Sequence, residues 1–134
     1  MDINSLLLVL WILAAHWVAD FVFQTEHMAL NKSTSNWALG KHVAAYTAVL
    51  GVLTVVPFFN AATGNAYSVM DTFILFLLLN AALHFATDFV TSRAVKLEFA
   101  NENKHNGFVI IGVDQLVHHT CILLTFFWFT GSIY

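Results

Sequence analysis

Three pairs of ionisable side chains in this 134-residue chain share one spacing. His16 and Asp20 are four residues apart, as are His84 and Asp88, and Asp114 and His118 repeat the spacing in reversed order. In a helix, that spacing puts both side chains on one face, within reach of a shared partner. With His42, they make four imidazoles and three carboxylates. Such a donor set suits Zn, Mn, Fe, Co or Ni, and lacks the thiolates that would select Cu(I) or an iron–sulfur cluster. A structural zinc site normally has four ligands and is closed. Seven candidate metal ligands exceed that number and allow one divalent ion, zinc before the others, or two ions about 3.5–4 Å apart sharing an aspartate. A binuclear site can ionise water and clamp a phosphoryl or acyl oxygen. No glutamate lies near this set, so one of Asp20, Asp88 and Asp114, or the metal-bound hydroxide itself, must serve as the general base. Gln24, Tyr46 and Asn80 are placed to orient the ligands.

The elements that carry these residues follow from composition. The chain is 59% hydrophobic and only 10% charged, whereas a soluble domain is about a quarter charged. Such a chain is neither an ordinary globular domain nor disordered. Five Lys and Arg against eight Asp and Glu, with no basic run, exclude a nucleic-acid partner. The single cysteine, Cys121, excludes an internal disulfide framework. A single integral membrane domain over residues 1–134 remains, with membrane lipid as its surroundings. At this size a homo-oligomer is open.

Charged residues leave four long uncharged stretches, and a bilayer core takes about 20 helical residues. Four transmembrane helices are expected near 5–25, 37–59, 69–92 and 108–131. The fold class is therefore an all-α four-helix bundle. Ser and Asn between Lys32 and Asn36 are candidates to cap the second helix, and Pro57 is expected to close it. The N-terminus begins without a basic segment, against a cleaved signal peptide. Lys32, Lys41, Arg93, Lys96 and Lys104 all flank the first and third loops. The positive-inside rule makes that side cytoplasmic, with both termini on the opposite side of a multi-pass inner-membrane protein. Trp37 suits the cytoplasmic interface, and Trp128 and Tyr134 the far one. In this topology all seven ligand candidates fall in one layer, roughly 6–15 Å below the cytoplasmic helix ends.

The motif also repeats. His16-Trp-Val-Ala-Asp-Phe-Val22 and His84-Phe-Ala-Thr-Asp-Phe-Val90 share His-aromatic-x-x-Asp-Phe-Val. The bundle thus reads as two parallel helix-pair repeats, with a site at their interface. Polar residues also join membrane helices by hydrogen bonds alone, and for a single pair that is the simpler account. Three pairs and His42 in one layer favour metal. His27 and His105 read as solvated loop residues, and His119 points about 100° away from His118. Gly40, Ala44 and Ala48 read as a stripe for close helix packing. The loop cations set topology, and Lys41 and Arg93 could also meet a phosphate.

The residues His16, Asp20, Gln24, Met28, Lys32, His42 and Tyr46, followed by His84, Asp88, Gly112, Asp114, Gln115 and His118, resemble a small bacterial and phage membrane family carried as domain of unknown function 3307. The resemblance spans nearly the whole chain. It implies a polytopic membrane protein and the same His and Asp positions, and brings no activity.

On the residues themselves, the leading expectation is a metal-dependent hydrolase acting on a lipid, lipid-linked or other phosphoester substrate at the cytoplasmic face. The alternative is a divalent-metal transporter, since paired His-x-x-x-Asp motifs are similar to the transport site of cation diffusion facilitators. A non-enzymatic membrane regulator with a structural polar core is a third reading. Haem ligation is a fourth, though it would leave the aspartates without a use.

Overall fold

A computed structural model describes residues 3–131, all helix and short connections. Tyr134, expected at the far interface, lies outside the described residues. The elements are α1 (Ile3–Trp17), continued by a π-helical turn (Val18–Val22), then α2 (Glu26–Asn31), α3 (Asn36–Ala61), α4 (Ala66–Ala100) and α5 (Lys104–Thr130). Four segments are long and apolar enough to cross a membrane: Ile3–Val22, Asn36–Ala61, Tyr67–Ala100 and Lys104–Thr130. They correspond to the four expected spans, and fit a polytopic membrane protein. α3 packs against α1 and α4, and α5 against α4 and α1, which closes a four-helix ring; the backbone of α2 approaches only α3.

Local chemistry explains most boundaries. Ser35 caps α3 by accepting from the Ala38 amide, Thr25 caps α2 through Met28, and Asn65 caps α4 through Ser68. Each satisfies one of the orphan donors of a helix start. Pro57, by contrast, does not close α3, which runs on to Ala61. A proline leaves the carbonyl four residues earlier without its helical donor. Here that carbonyl belongs to Leu53, and it accepts from the Trp11 indole N–H at 2.8 Å. A neighbouring helix thus repairs the defect, and the helix continues.

α4 also outruns expectation. Its 35 residues span about 50 Å at 1.5 Å each, well beyond an apolar core of about 30 Å. The extra turns, from Arg93 to Ala100, stand beside the first turns of α5. The crossing is close: a Cβ on the buried Gly107 would overlap the Phe99 ring. The short α2 interrupts what the sequence offered as a loop, and holds Lys32 at its C-terminal cap.

The small-residue stripe does not do what was expected of it. Gly40 has no neighbour within 4 Å of a built Cβ. Together with Ala44, Ala48, Gly51, Leu77 and Phe85 it lines an open apolar groove between α3 and α4.

Candidate metal centre

The four helices long and apolar enough to cross a membrane all contribute to one buried polar layer. His16, His42, His84, Asp88 and Asp20 are each no more than 2% exposed, His118 is 4% and Asp114 8% exposed. All seven candidates therefore meet inside the bundle, at the end where α1 finishes and α5 begins.

Local winding decides which of them meet most closely. The first His-x-x-x-Asp copy lies across the junction of α1 with its π-helical turn, whereas the second lies in regular α-helix within α4. A π turn inserts an extra residue and reorients what it carries. His16 Nε2 and Asp20 Oδ2 are 4.0 Å apart, and Asp20 turns instead toward the neighbouring helices. Its Oδ1 lies 3.1 Å from His42 Nε2 and 3.5 Å from His84 Nε2. Asp88 Oδ2 completes the group, 3.2 Å from His42 Nε2 and 3.7 Å from His84 Nε2, and the two Nε2 atoms are 3.0 Å apart. Four ligands at about 2.0–2.1 Å from a tetrahedral ion would be about 3.3 Å from one another. The five distances, 3.0 to 3.7 Å, straddle that value.

Two further groups share members with the first. His16, Asp20 and His118 form one, and Asp88, Asp114 and His118 the other, each with its ligand atoms within 4.8 Å of one another. Asp20 and Asp88 thus belong to two groups each. Asp20 spans its two groups with separate oxygens: Oδ1 faces His42 and His84, while Oδ2 faces His16.

The cluster combines close imidazole–carboxylate contacts, among them His118 Nδ1 at 3.3 Å from Asp114 Oδ2, with buried atoms that make no aligned hydrogen bond. Asp20 Oδ1, both nitrogens of His16, both of His118, and Nδ1 of His42 and His84 are buried without a hydrogen-bond partner among the described residues. Buried polar atoms without partners are costly, and a cluster of them in a native fold marks a function or an absent ligand. Packing orients the rings as well: Tyr46 stacks on His84 with centroids 3.9 Å apart, and the His118 ring centroid lies 4.2 Å from that of His84.

The carboxylates are better held. Asp114 Oδ1 accepts from Thr91, and its Oδ2 accepts from Gln115 Nε2 at 3.0 Å. The same Gln115 amide reaches Asp20 Oδ2 at 3.2 Å. Asp88 Oδ2 accepts from the Lys32 ammonium at 2.8 Å. Three buried carboxylates against one ammonium leave two negative charges, equal and opposite to one divalent ion. Buried charge on that scale requires compensation.

Sequence reasoning gave Lys32, Thr91 and Gln115 no part in this site. A signal existed, because Lys32 and Gln115 stand among the residues that carry the family resemblance; spacing alone offered them no role. Other assignments shift. Asn80 orients no ligand and donates to the Phe76 carbonyl and to Thr125, one turn away. Lys41 lies over the Trp37 ring, and Arg93 binds Asn36 and the Phe89 carbonyl, so neither faces the cluster. His27 and His105 are exposed, though on helices and not in loops. His119, set aside in sequence, has its ring 5.0 Å from that of His16.

A cavity of about 510 Å³ opens onto the cluster. Asp20, Asp88 and Asp114 are at its polar side, with Gln24 and Gln115. Lys32 and Lys96 line it as well, and Leu30, Val95, Phe99 and Ile111 give it an apolar wall. Much of that wall comes from α2 and from the added turns of α4.

No characterised protein and no solved structure matches the chain. One family does, over residues 7–133. With nearly the whole sequence covered, the chain belongs to the family described as protein of unknown function, DUF3307.

Proposed function

We propose that the protein is a metal-dependent membrane hydrolase that cleaves a lipid or other phosphoester substrate at the cytoplasmic face. One observation carries the reading: the three aspartates of the ligand groups line a cavity large enough for a small ligand, with the histidines buried behind them. Two divalent ions, zinc in the first instance, would share Asp20 or Asp88, and would supply Lewis acidity and ionised water. The chain's own residues do the rest. His42, His84, Asp20 and Asp88 would hold one ion, and Asp88, Asp114 and His118 would hold the other. Asp114, which accepts from Thr91 and Gln115, would take the proton of the attacking water in this reading. In this reading the two helix pairs are parallel repeats, and both ends of the chain face away from the cytoplasm.

The transporter alternative draws on the same four residues, His42, His84, Asp20 and Asp88. It also needs a path to the opposite face, and Phe58, Phe73, Phe76 and Phe126 pack together on the bundle axis there. A regulator held by a hydrogen-bonded core would also satisfy both nitrogens of His16 and Nδ1 of His42 and His84, which make no hydrogen bond among the described residues.

The test is plasma mass spectrometry of detergent-purified protein, followed by phosphate release from lipids in nanodiscs. About two ions per chain, with release abolished in Asp114→Asn, is the expected result. No bound ion after incubation with zinc and manganese refutes the metal site; bound ion without turnover of any phosphoester refutes the hydrolase.

A further inference from the structure

The cavity has a chemistry of its own, and it narrows the substrate. Its polar side contains three carboxylates, which repel an anion until metal is bound. The buried cluster with Lys32 has two negative charges in excess. One divalent ion would cancel them, and a second would leave two positive charges, equal and opposite to those of a fully ionised phosphate monoester. A neutral ester would leave that charge unmatched.

One further ammonium, that of Lys96, is added at the cavity, and Lys32, already counted against the carboxylates, lines it as well. Lys32 is held in place by its bond to Asp88 Oδ2, with its side chain 18% exposed. An ammonium has three donors, and the bond to Asp88 uses one. Lys96, one turn beyond Ser92 on α4, is exposed and also lines the cavity. The remaining wall is apolar and continues outward. Phe21, Leu30 and Phe99 line the cavity and are 44%, 69% and 41% exposed. A hydrocarbon chain leaving along them stays on apolar surface from the cavity to the outside of the bundle.

We propose that this cavity binds the phosphate end of a single- or double-chain amphiphile. Lys32 and Lys96 hold the phosphate against the metal cluster, and Phe21, Leu30, Val95, Phe99 and Ile111 take the first part of the chain. The proposal rests on the hydrolase reading and names its substrate class as a phosphate monoester lipid. Hydrolysis of such a molecule adds water across the ester P–O bond, so that inorganic phosphate and the free alcohol leave.

The experiment measures binding of dodecyl phosphate, inorganic phosphate and dodecanol to zinc-loaded and chelator-stripped protein in nanodiscs. Metal content is determined on each sample. Dodecyl phosphate is expected to bind at least tenfold more tightly than either fragment, and at least tenfold less tightly after Lys32→Gln/Lys96→Gln. Because Lys32 touches Asp88, Lys96→Gln alone provides the control that leaves the cluster untouched, with a loss of about threefold or more at unchanged metal content. Inorganic phosphate binding as tightly as dodecyl phosphate would identify a free-phosphate site and overturn the proposal. So would binding indifferent to both lysines. Metal-loaded protein that ignores dodecyl phosphate refutes this subsite and leaves the metal centre standing. Metal-free protein that still binds it through the lysines refutes the hydrolase and preserves the headgroup site.

Discussion

The two ends of the bundle bury side chains by opposite means. At one end, seven His and Asp side chains from the four long apolar helices meet, with many of their polar atoms making no aligned hydrogen bond. At the other, Phe58 lies with its ring centroid 5.0 Å from Phe73, 5.3 Å from Phe76 and 5.5 Å from Phe126, and Ile12, Leu50 and Ile122 fill the space between. Edge-to-face and tilted rings of this kind pack well without polar atoms to satisfy. The difference assigns the tasks. The aromatic end fixes how the helices sit, which lets the polar end hold groups that would not choose each other. Asn80 and Thr125, bonded at 2.8 Å, lie between the two.

The sharpest way to break this division is Asp20→Ala/Asp88→Ala, which removes the two carboxylates that join the ligand groups. Elemental analysis is expected to find all bound metal lost, with membrane insertion unchanged. Retention of even one ion per chain would place the centre elsewhere. On the aromatic side, Phe76→Ala or Phe126→Ala should cost about 3 kcal/mol by leaving a cavity in a packed core. Thermal unfolding in detergent would report the loss, and metal content at fixed saturating zinc should be unchanged. If either substitution strips metal instead, the two ends are not separable.

Gln115→Leu probes the support of the polar end. Its amide contacts both Asp20 and Asp114, and loss of such an outer partner typically lowers metal affinity about 10–100-fold. A competition titration against a zinc chelator measures it; an unchanged affinity would mean the carboxylates hold their positions without the amide. The smallest effect is expected at the boundary. Asn80→Leu should cost about 0.6 kcal/mol, the average for a hydrogen bond between membrane helices, and leave zinc affinity unaltered. A tenfold fall in affinity would move Asn80 into the metal site.

Much of this was legible in the sequence because a membrane restricts the answers. Uncharged runs of the right length give four helices, and an ionisable residue inside such a run must find a partner. His16, Asp20, His42, His84, Asp88, Asp114 and His118 were therefore all identifiable from type, spacing and depth. The cavity was not legible. Lys32 reaches Asp88 across 56 positions of sequence, and Gln115 reaches Asp20 across 95. No local pattern signals either contact.

The sequence by itself determined the number of spans, their apolar character and the residues able to hold metal, since each depends on side-chain type and helical period. Only the tertiary structure decided how those residues are grouped. The π-helical turn at Asp20 directs its carboxylate toward His42 and His84, a consequence of winding that composition does not encode. Trp11 carries α3 past Pro57 because a donor on another helix happens to meet the freed Leu53 carbonyl. Lys32 becomes part of the site because α2 and the long end of α4 enclose the same space. Each is a contact between distant segments, formed only when the bundle closes.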